Sequence, residues 1–154
     1  MDKFTEKDMQ GQEKVVDQLH KIFKNQSLTV EQHYLDKSTV DICVTATTQS
    51  DISYEYIFEA KDRDYDHTRF DTIILEIPKY ESLMKRSDEG KPMYVHTFSD
   101  DWITIWDVSK LKDLDKKKKT MYLPKTTVED RGKEWRDVYL ISQEDAVYNK
   151  SFIV

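Results

Sequence analysis

Three residues carry a coherent chemical signal: Asp41, Glu59 and Lys61, all within the stretch Thr39–Lys61. That stretch reads as two apolar-periodic strands joined by a polar turn. Residues two apart on a strand share a face. Asp41, Cys43 and Thr45 therefore point one way, and Val40, Ile42, Val44 and Ala46 the other. On the second strand Glu59 and Lys61 share a face, opposite Tyr54, Tyr56, Phe58 and Ala60. A hairpin turning symmetrically about Ser50 sets Asp41 directly across from Glu59. Their Cβ atoms then lie roughly 5 Å apart, and like charges so opposed are destabilising. A divalent cation held by oxygen ligands offsets such repulsion. Lys61 adds a positive charge on the same side.

The elements that position these groups can be read in chain order. From about Thr5 to Asn25, Val15, Val16, Leu19, Ile22 and Phe23 recur at helical spacing and make one apolar face. Leu28 to Leu35 alternates as a strand, and Asp36-Lys37-Ser38 turns into the strand bearing Asp41. Phe70 to Ile77 is apolar, and Pro78 suits the first turn of a helix running to Lys85. Tyr80, Leu83 and Met84 pack that helix on the sheet, while Lys79, three residues beyond Glu76, stays open between projecting to the site to meet nucleic acid and packing with its neighbours. Met93–Phe98, the turn Ser99-Asp100-Asp101 and Trp102–Trp106 form a hairpin. Met121–Leu123 and Trp135–Ile141 are further strands, extending the sheet or forming an appended substructure.

An acid-bearing helix, a strand, a strand with Asp41 and a strand ending Glu59-Ala60-Lys61 resembles the restriction-endonuclease-like, or PD-(D/E)xK, nuclease superfamily. The likeness covers about the first two-thirds of the chain. It departs at Val40, where the motif's Pro would stand. The resemblance implies an α/β fold, with a mixed central sheet flanked by helices in the order α-β-β-β-α-β. The core is expected over about residues 5–110 of a single domain, with a β-rich extension over about 111–154. It also implies metal-dependent phosphodiester hydrolysis of DNA or RNA. Asp41, Glu59 and the carbonyl of Ala60 would bind Mg²⁺ or Mn²⁺, and Lys61 would position or help deprotonate the attacking water. Glu13 is either a solvated residue flanking the helix face or the acid that leans toward the metal site. Many enzymes of this kind work as dimers, so a homodimer is an expectation as well. The alternatives are a catalytically inactive nuclease-like module that grips nucleic acid or a protein, and an unrelated α/β fold in which Glu59 and Lys61 form a surface ion pair.

Further basic residues have two readings each. Arg63, His67 and Arg69, in the polar run Asp62–Arg69, either reach a phosphate or decorate a solvated loop. Lys116, Lys117, Lys118 and Lys119 either ride on a nucleic-acid backbone or are a solvated loop or sheet-edge guard. Trp102 and Trp106 read as core or edge cover ahead of a base-stacking platform, and His96 as a cross-strand residue with a satisfied ring nitrogen. The net charge of −6 argues against a protein that coats nucleic acid non-specifically, but leaves room for a local basic surface. The single cysteine, Cys43, excludes an internal disulfide framework and a multi-cysteine zinc site, and its flanks mark it as a core residue. The histidines, His20, His33, His67 and His96, show no metal-ligand pairing. There is no Gly-rich phosphate loop and no nucleophile-elbow serine. No run approaches the roughly 18 apolar residues of a membrane span. The opening MDKFTEKDMQ lacks a secretory signal's apolar core, so a cytoplasmic setting without a membrane partner is expected.

Overall fold

The computed structural model describes residues 3–32, 41–125 and 132–153. The end of the first expected strand, the turn at 36–38, His33 and Val40 lie outside the described residues. Helix α1 (Lys3–Ile22) forms where the apolar spacing places it. Val15 and Leu19 are fully buried, and Val16, Ile22 and Phe23 pack beside them. The helix stops short of Asn25 because the chain tightens there: the Gln26 N–H donates to the Phe23 carbonyl at 2.9 Å.

Three strands follow: β1 (Ser27–Gln32), β2 (Ile42–Thr47) and β3 (Ser53–Asp62). The β2–β3 turn fixes their register. Asp51 adopts the left-handed conformation (φ 60°), which a short polar side chain tolerates. The Thr48 N–H donates to the Ile52 carbonyl at 2.8 Å, and the Ile52 N–H donates to Thr48 Oγ1 at 3.1 Å. Ile42 then faces Phe58 and Thr47 faces Ser53, so the pairing is centred on Ser50 as expected.

A short strand, β4 (Ile73–Glu76), runs directly into α2 (Ile77–Lys85), with Pro78 in its first turn. Strands β5 (Lys91–Thr97) and β6 (Trp102–Asp107) form the predicted hairpin. A one-turn helix, α3 (Leu114–Lys117), leads into β7 (Lys118–Pro124), followed by β8 (Lys133–Ile141) and β9 (Tyr148–Ser151). The lysine run is thus divided between α3 and the start of β7 instead of forming a loop.

The main sheet has the order β1-β2-β3-β5-β6-β9. Only the β3–β5 pair in it is parallel, and α2 lies in the crossover that such a pair requires. A second sheet, β4-β8-β7, resolves the open question about the later strands: β7 and β8 build a separate layer, while β9 returns to the main sheet. The main sheet is apolar on both faces. Ile42, Val44, Phe58, Ala60, Met93, Val95, Ile103 and Ile105 meet α1. Ile57, Tyr94, Phe98 and Trp106 turn the other way, onto Leu83 of α2 and Ile73, Leu75 and Ile141 of the second sheet. Each large side chain fully buried in these layers contributes about 1.5–3 kcal/mol. No helix among the described residues is long and apolar enough to cross a membrane.

Gly90 lets the chain enter β5 tightly against β3. A Cβ there would lie 3.1 Å from the backbone nitrogen and carbonyl carbon of Tyr56. Because those neighbours are main chain in the sheet centre, they cannot yield. Gly90→Ala is expected to destabilise the fold by about 1–3 kcal/mol, read as a lower midpoint in urea unfolding.

Candidate active site

Alternation along β3 turns Glu59 and Lys61 away from α1, toward α2. Glu59 is only 5% exposed. Its Oε1 lies 3.8 Å from Lys61 Nζ and 3.4 Å from Lys79 Nζ, so two ammonium groups converge on one buried carboxylate. Lys79 arrives from α2, so its open reading falls on the side of projecting to the site. The Glu59 charge pushes the Lys79 ammonium's pKa up; burial opposes this and the Asp41 charge adds to it. Both acids therefore bear on Lys79.

Asp41 sits where main-chain pairing between β2 and β3 gives out. The ladder ends at Ile42 facing Phe58. Two residues beyond Phe58, the Ala60 N–H donates instead to Asp41 Oδ2 at 2.9 Å. The repulsion expected between two facing carboxylates is thus offset within the protein by this N–H and by the two lysines.

Strand β5 completes the floor. In the parallel register Glu59 faces Tyr94 and Lys61 faces His96. The buried Tyr94 hydroxyl donates to the Ile74 carbonyl at 2.9 Å. His96 is fully buried with its ring against Tyr94 and Trp106, and neither ring nitrogen has a hydrogen-bond partner. The expectation of a satisfied ring nitrogen is therefore corrected: aromatic packing holds this imidazole. Burial drives its pKa well below the usual value, and the Arg63 and Lys61 charges add to the effect. His96 stays neutral.

The remaining candidates are dispersed. Glu13 is exposed on α1, and no bond among the described residues joins it to Asp41 or Glu59. Its neighbour Lys14 is tied to Asp62, just past Lys61, at 3.0 Å. Arg63 is half-buried, and its N–H donates to the Thr97 carbonyl at 2.8 Å. His67 fastens its loop to the β5–β6 turn: its ring stacks on Trp102 at 3.8 Å and its Nδ1 lies 2.5 Å from Asp100 Oδ2. Arg69 is exposed, 5.6 Å from the centroid of the Phe70 ring. Lys116, Lys118 and Lys119 are exposed, while Lys117 pairs with Asp145 at 3.2 Å. Cys43 is half-buried, not sealed in the core, and burial followed by the Glu31 charge raises its thiol pKa. Sequence reasoning missed Arg136 of β8, which bonds Glu76 at the entrance to α2; no local pattern joins residues 60 apart. A cavity of about 250 Å³ lined by Phe23, Tyr56, Phe58, Met93 and Asp107 lies on the α1 face, opposite the face of Glu59 and Lys61.

No family model matches the sequence, and no curated protein matches it. Among solved structures, Hjc from Archaeoglobus fulgidus, a Holliday junction resolvase from an archaeal hyperthermophile, matches with a TM-score of 0.51 and 11% identity. The match covers 89% of this chain and 90% of that one. At this identity the likeness is one of fold, and the fold is restriction-endonuclease-like.

Asp41 and Glu59 offer hard oxygen donors, the type that Mg²⁺ and Mn²⁺ take. Two carboxylates fit such an ion when water and substrate phosphates complete its shell. Among the described residues no group of three or more His, Cys, Asp or Glu gathers that could hold a metal without that help.

Burial pushes the Tyr94 hydroxyl far above its ordinary pKa of 10.0, against the opposing Arg63 charge. Above pH 10 the unfolded chain releases this proton while the folded chain keeps it. Stability present below that pH is therefore lost as pH rises. In an alkaline titration followed by tyrosinate absorbance, Tyr94 is expected to ionise last, together with unfolding. In Tyr94→Phe that late step disappears.

Proposed function

We propose that this chain is a metal-dependent nuclease that hydrolyses phosphodiester bonds in DNA. The observation that carries the reading is the buried Glu59 with Lys61 3.8 Å away, beside Asp41, at the centre of a restriction-endonuclease-like sheet. Asp41, Glu59 and the Ala60 carbonyl would hold Mg²⁺ or Mn²⁺ together with oxygens of the substrate phosphate. Held there, such an ion would supply Lewis acidity, lowering the pKa of a water and offsetting charge on the departing oxygen.

The protein's own groups do the rest. Lys61 orients the attacking water and stabilises the negative charge added to the phosphorane. Lys79, its pKa raised by Glu59, stays an ammonium at neutral pH and acts as a fixed charge, not a base. Neutral His96 adds no competing charge beneath them. Water's oxygen bonds to phosphorus as its proton passes to solvent, the phosphorus–oxygen ester bond breaks, and the departing oxygen takes a proton from solvent. The resemblance adds Glu13 as holder of a second ion or of a water, but the scheme does not need it. Likeness to a Holliday junction resolvase places branched DNA among the substrates to try, and a homodimer would present two such sites to one junction.

One observation favours the second reading, an inactive module that binds nucleic acid or a protein: Glu59 already has two ammonium partners. Calorimetric titration separates the two. With a non-hydrolysable DNA present to supply the phosphate oxygens, the nuclease is expected to bind Mg²⁺ or Mn²⁺, with binding lost in the Asp41→Asn, Glu59→Gln pair; no metal binding by the wild type in that complex supports the module.

Cleavage is tested with Mg²⁺ and Mn²⁺ on single-stranded, duplex and branched DNA, with RNA alongside. Lys61→Ala, Asp41→Asn and Glu59→Gln are each expected to lose activity about a hundredfold or more. Cleavage that persists unchanged in Lys61→Ala would assign it to a contaminant and sink the proposal.

A further inference from the structure

Two large rings stand in water on the β7–β8 hairpin. Trp135 is 70% exposed and Tyr122 53%. They face each other across the pair with centroids 5.2 Å apart and ring planes at 47°. A cross-strand aromatic contact contributes only about 0.2–1 kcal/mol, too little to account for leaving both rings uncovered.

Alternation and register place Lys118 and Lys133 on the same face as the two rings, and both are exposed. Asp137, held by the Thr120 hydroxyl at 2.7 Å, is the one acid of that face among the described residues of the two strands. Lysines on an edge strand keep another strand from pairing there. That role explains the charge on β7, but not a tryptophan and a tyrosine left side by side. Rings that present a π-surface between ammonium groups suit a nucleic-acid strand: bases stack on aromatics whatever their identity, and phosphates meet the cations.

We propose that this face binds an unpaired stretch of a DNA strand, with a base stacked on Trp135 and Tyr122 and the flanking phosphates held by Lys118 and Lys133. The inference rests on the reading above that DNA is the substrate. It also moves the stacking platform away from Trp102 and Trp106. Trp102 already stacks on His67, and Trp106 is buried with its indole N–H donating to the Ser142 carbonyl at 2.8 Å. On the reverse of the hairpin Arg136 bonds Glu76, which precedes the helix carrying Lys79. A strand held on the hairpin is thereby held by an element fastened to the candidate site.

The test is a fluorescence titration of the full chain with a single-stranded oligothymidine, in chelator so that no cleavage occurs. Trp135, the most exposed of the three tryptophans, is expected to be quenched on binding. Trp135→Ala is expected to weaken binding roughly five- to a hundredfold, and Trp135→Phe to restore most of it. Lys118→Ala with Lys133→Ala should flatten the salt dependence. Unchanged affinity in Trp135→Ala would overturn the proposal, as would a duplex of equal length bound as tightly as the single strand. Sedimentation showing Trp135 closed against a second copy that the oligonucleotide does not displace would overturn it too. Because metal is absent, the two readings fail separately. A chain that never cleaves DNA but binds through Trp135 keeps this site and loses the catalytic proposal; an active enzyme indifferent to Trp135→Ala does the reverse.

Discussion

The buried carboxylate of Glu59 is the constraint to which the rest of the structure answers. An ion withdrawn from water in a protein costs several kcal/mol even after relaxation. At an effective dielectric near 20, a partner about 4 Å away returns roughly 4 kcal/mol. The return from Lys79 is smaller, because its side chain is 43% exposed and screened by solvent. Glu59 accordingly has a cation from its own strand and another from α2.

This requirement gives the crossover a chemical purpose as well as a topological one. Parallel pairing of β3 with β5 obliges the chain to travel over the sheet and return. The path taken, through β4 and α2, carries Lys79 across the face where Glu59 emerges. Strand β5 then seals that face from below with Tyr94 and the neutral His96. Among the described residues, the ammonium groups paired with Glu59 are those of Lys61 and Lys79. The neutral imidazole beneath stays out of the balance.

What could be read from the sequence follows from how local each determinant is. The β2–β3 hairpin was legible because a period of two and a turn centred on Ser50 lie within some twenty residues. The shared face of Glu59 and Lys61 came from the same rule. Lys79 was placed on the correct helix, but its approach to Glu59 depends on how α2 docks. β4 read only as an apolar lead-in to that helix, since its partner is β8, far along the chain. His67 reads from sequence either as a phosphate contact or as a solvated loop residue, because Trp102 and Asp100, which hold it, arrive with another hairpin. His96 was expected to find a hydrogen-bond partner, as buried polar groups generally do. Its pKa, lowered by burial, leaves an uncharged ring that can pack as an aromatic. Exposure of Tyr122 and Trp135 was illegible altogether: strand spacing predicts a face, but not whether another layer covers it.

Arg136 has a mechanical meaning beyond its charge. It clasps Glu76, Glu134 and the Lys125 carbonyl at once, joining both strands of the outer hairpin to the residue from which α2 departs. Three residues past Glu76 stands Lys79, whose ammonium reaches Glu59. Together with the β4–β8 ladder, in which Glu76 faces Val138, this guanidinium clasp anchors the outer hairpin at the root of α2. The outer sheet and the buried charge cluster thus share one scaffold, with a single helix turn between Arg136's partner and the ammonium that meets Glu59.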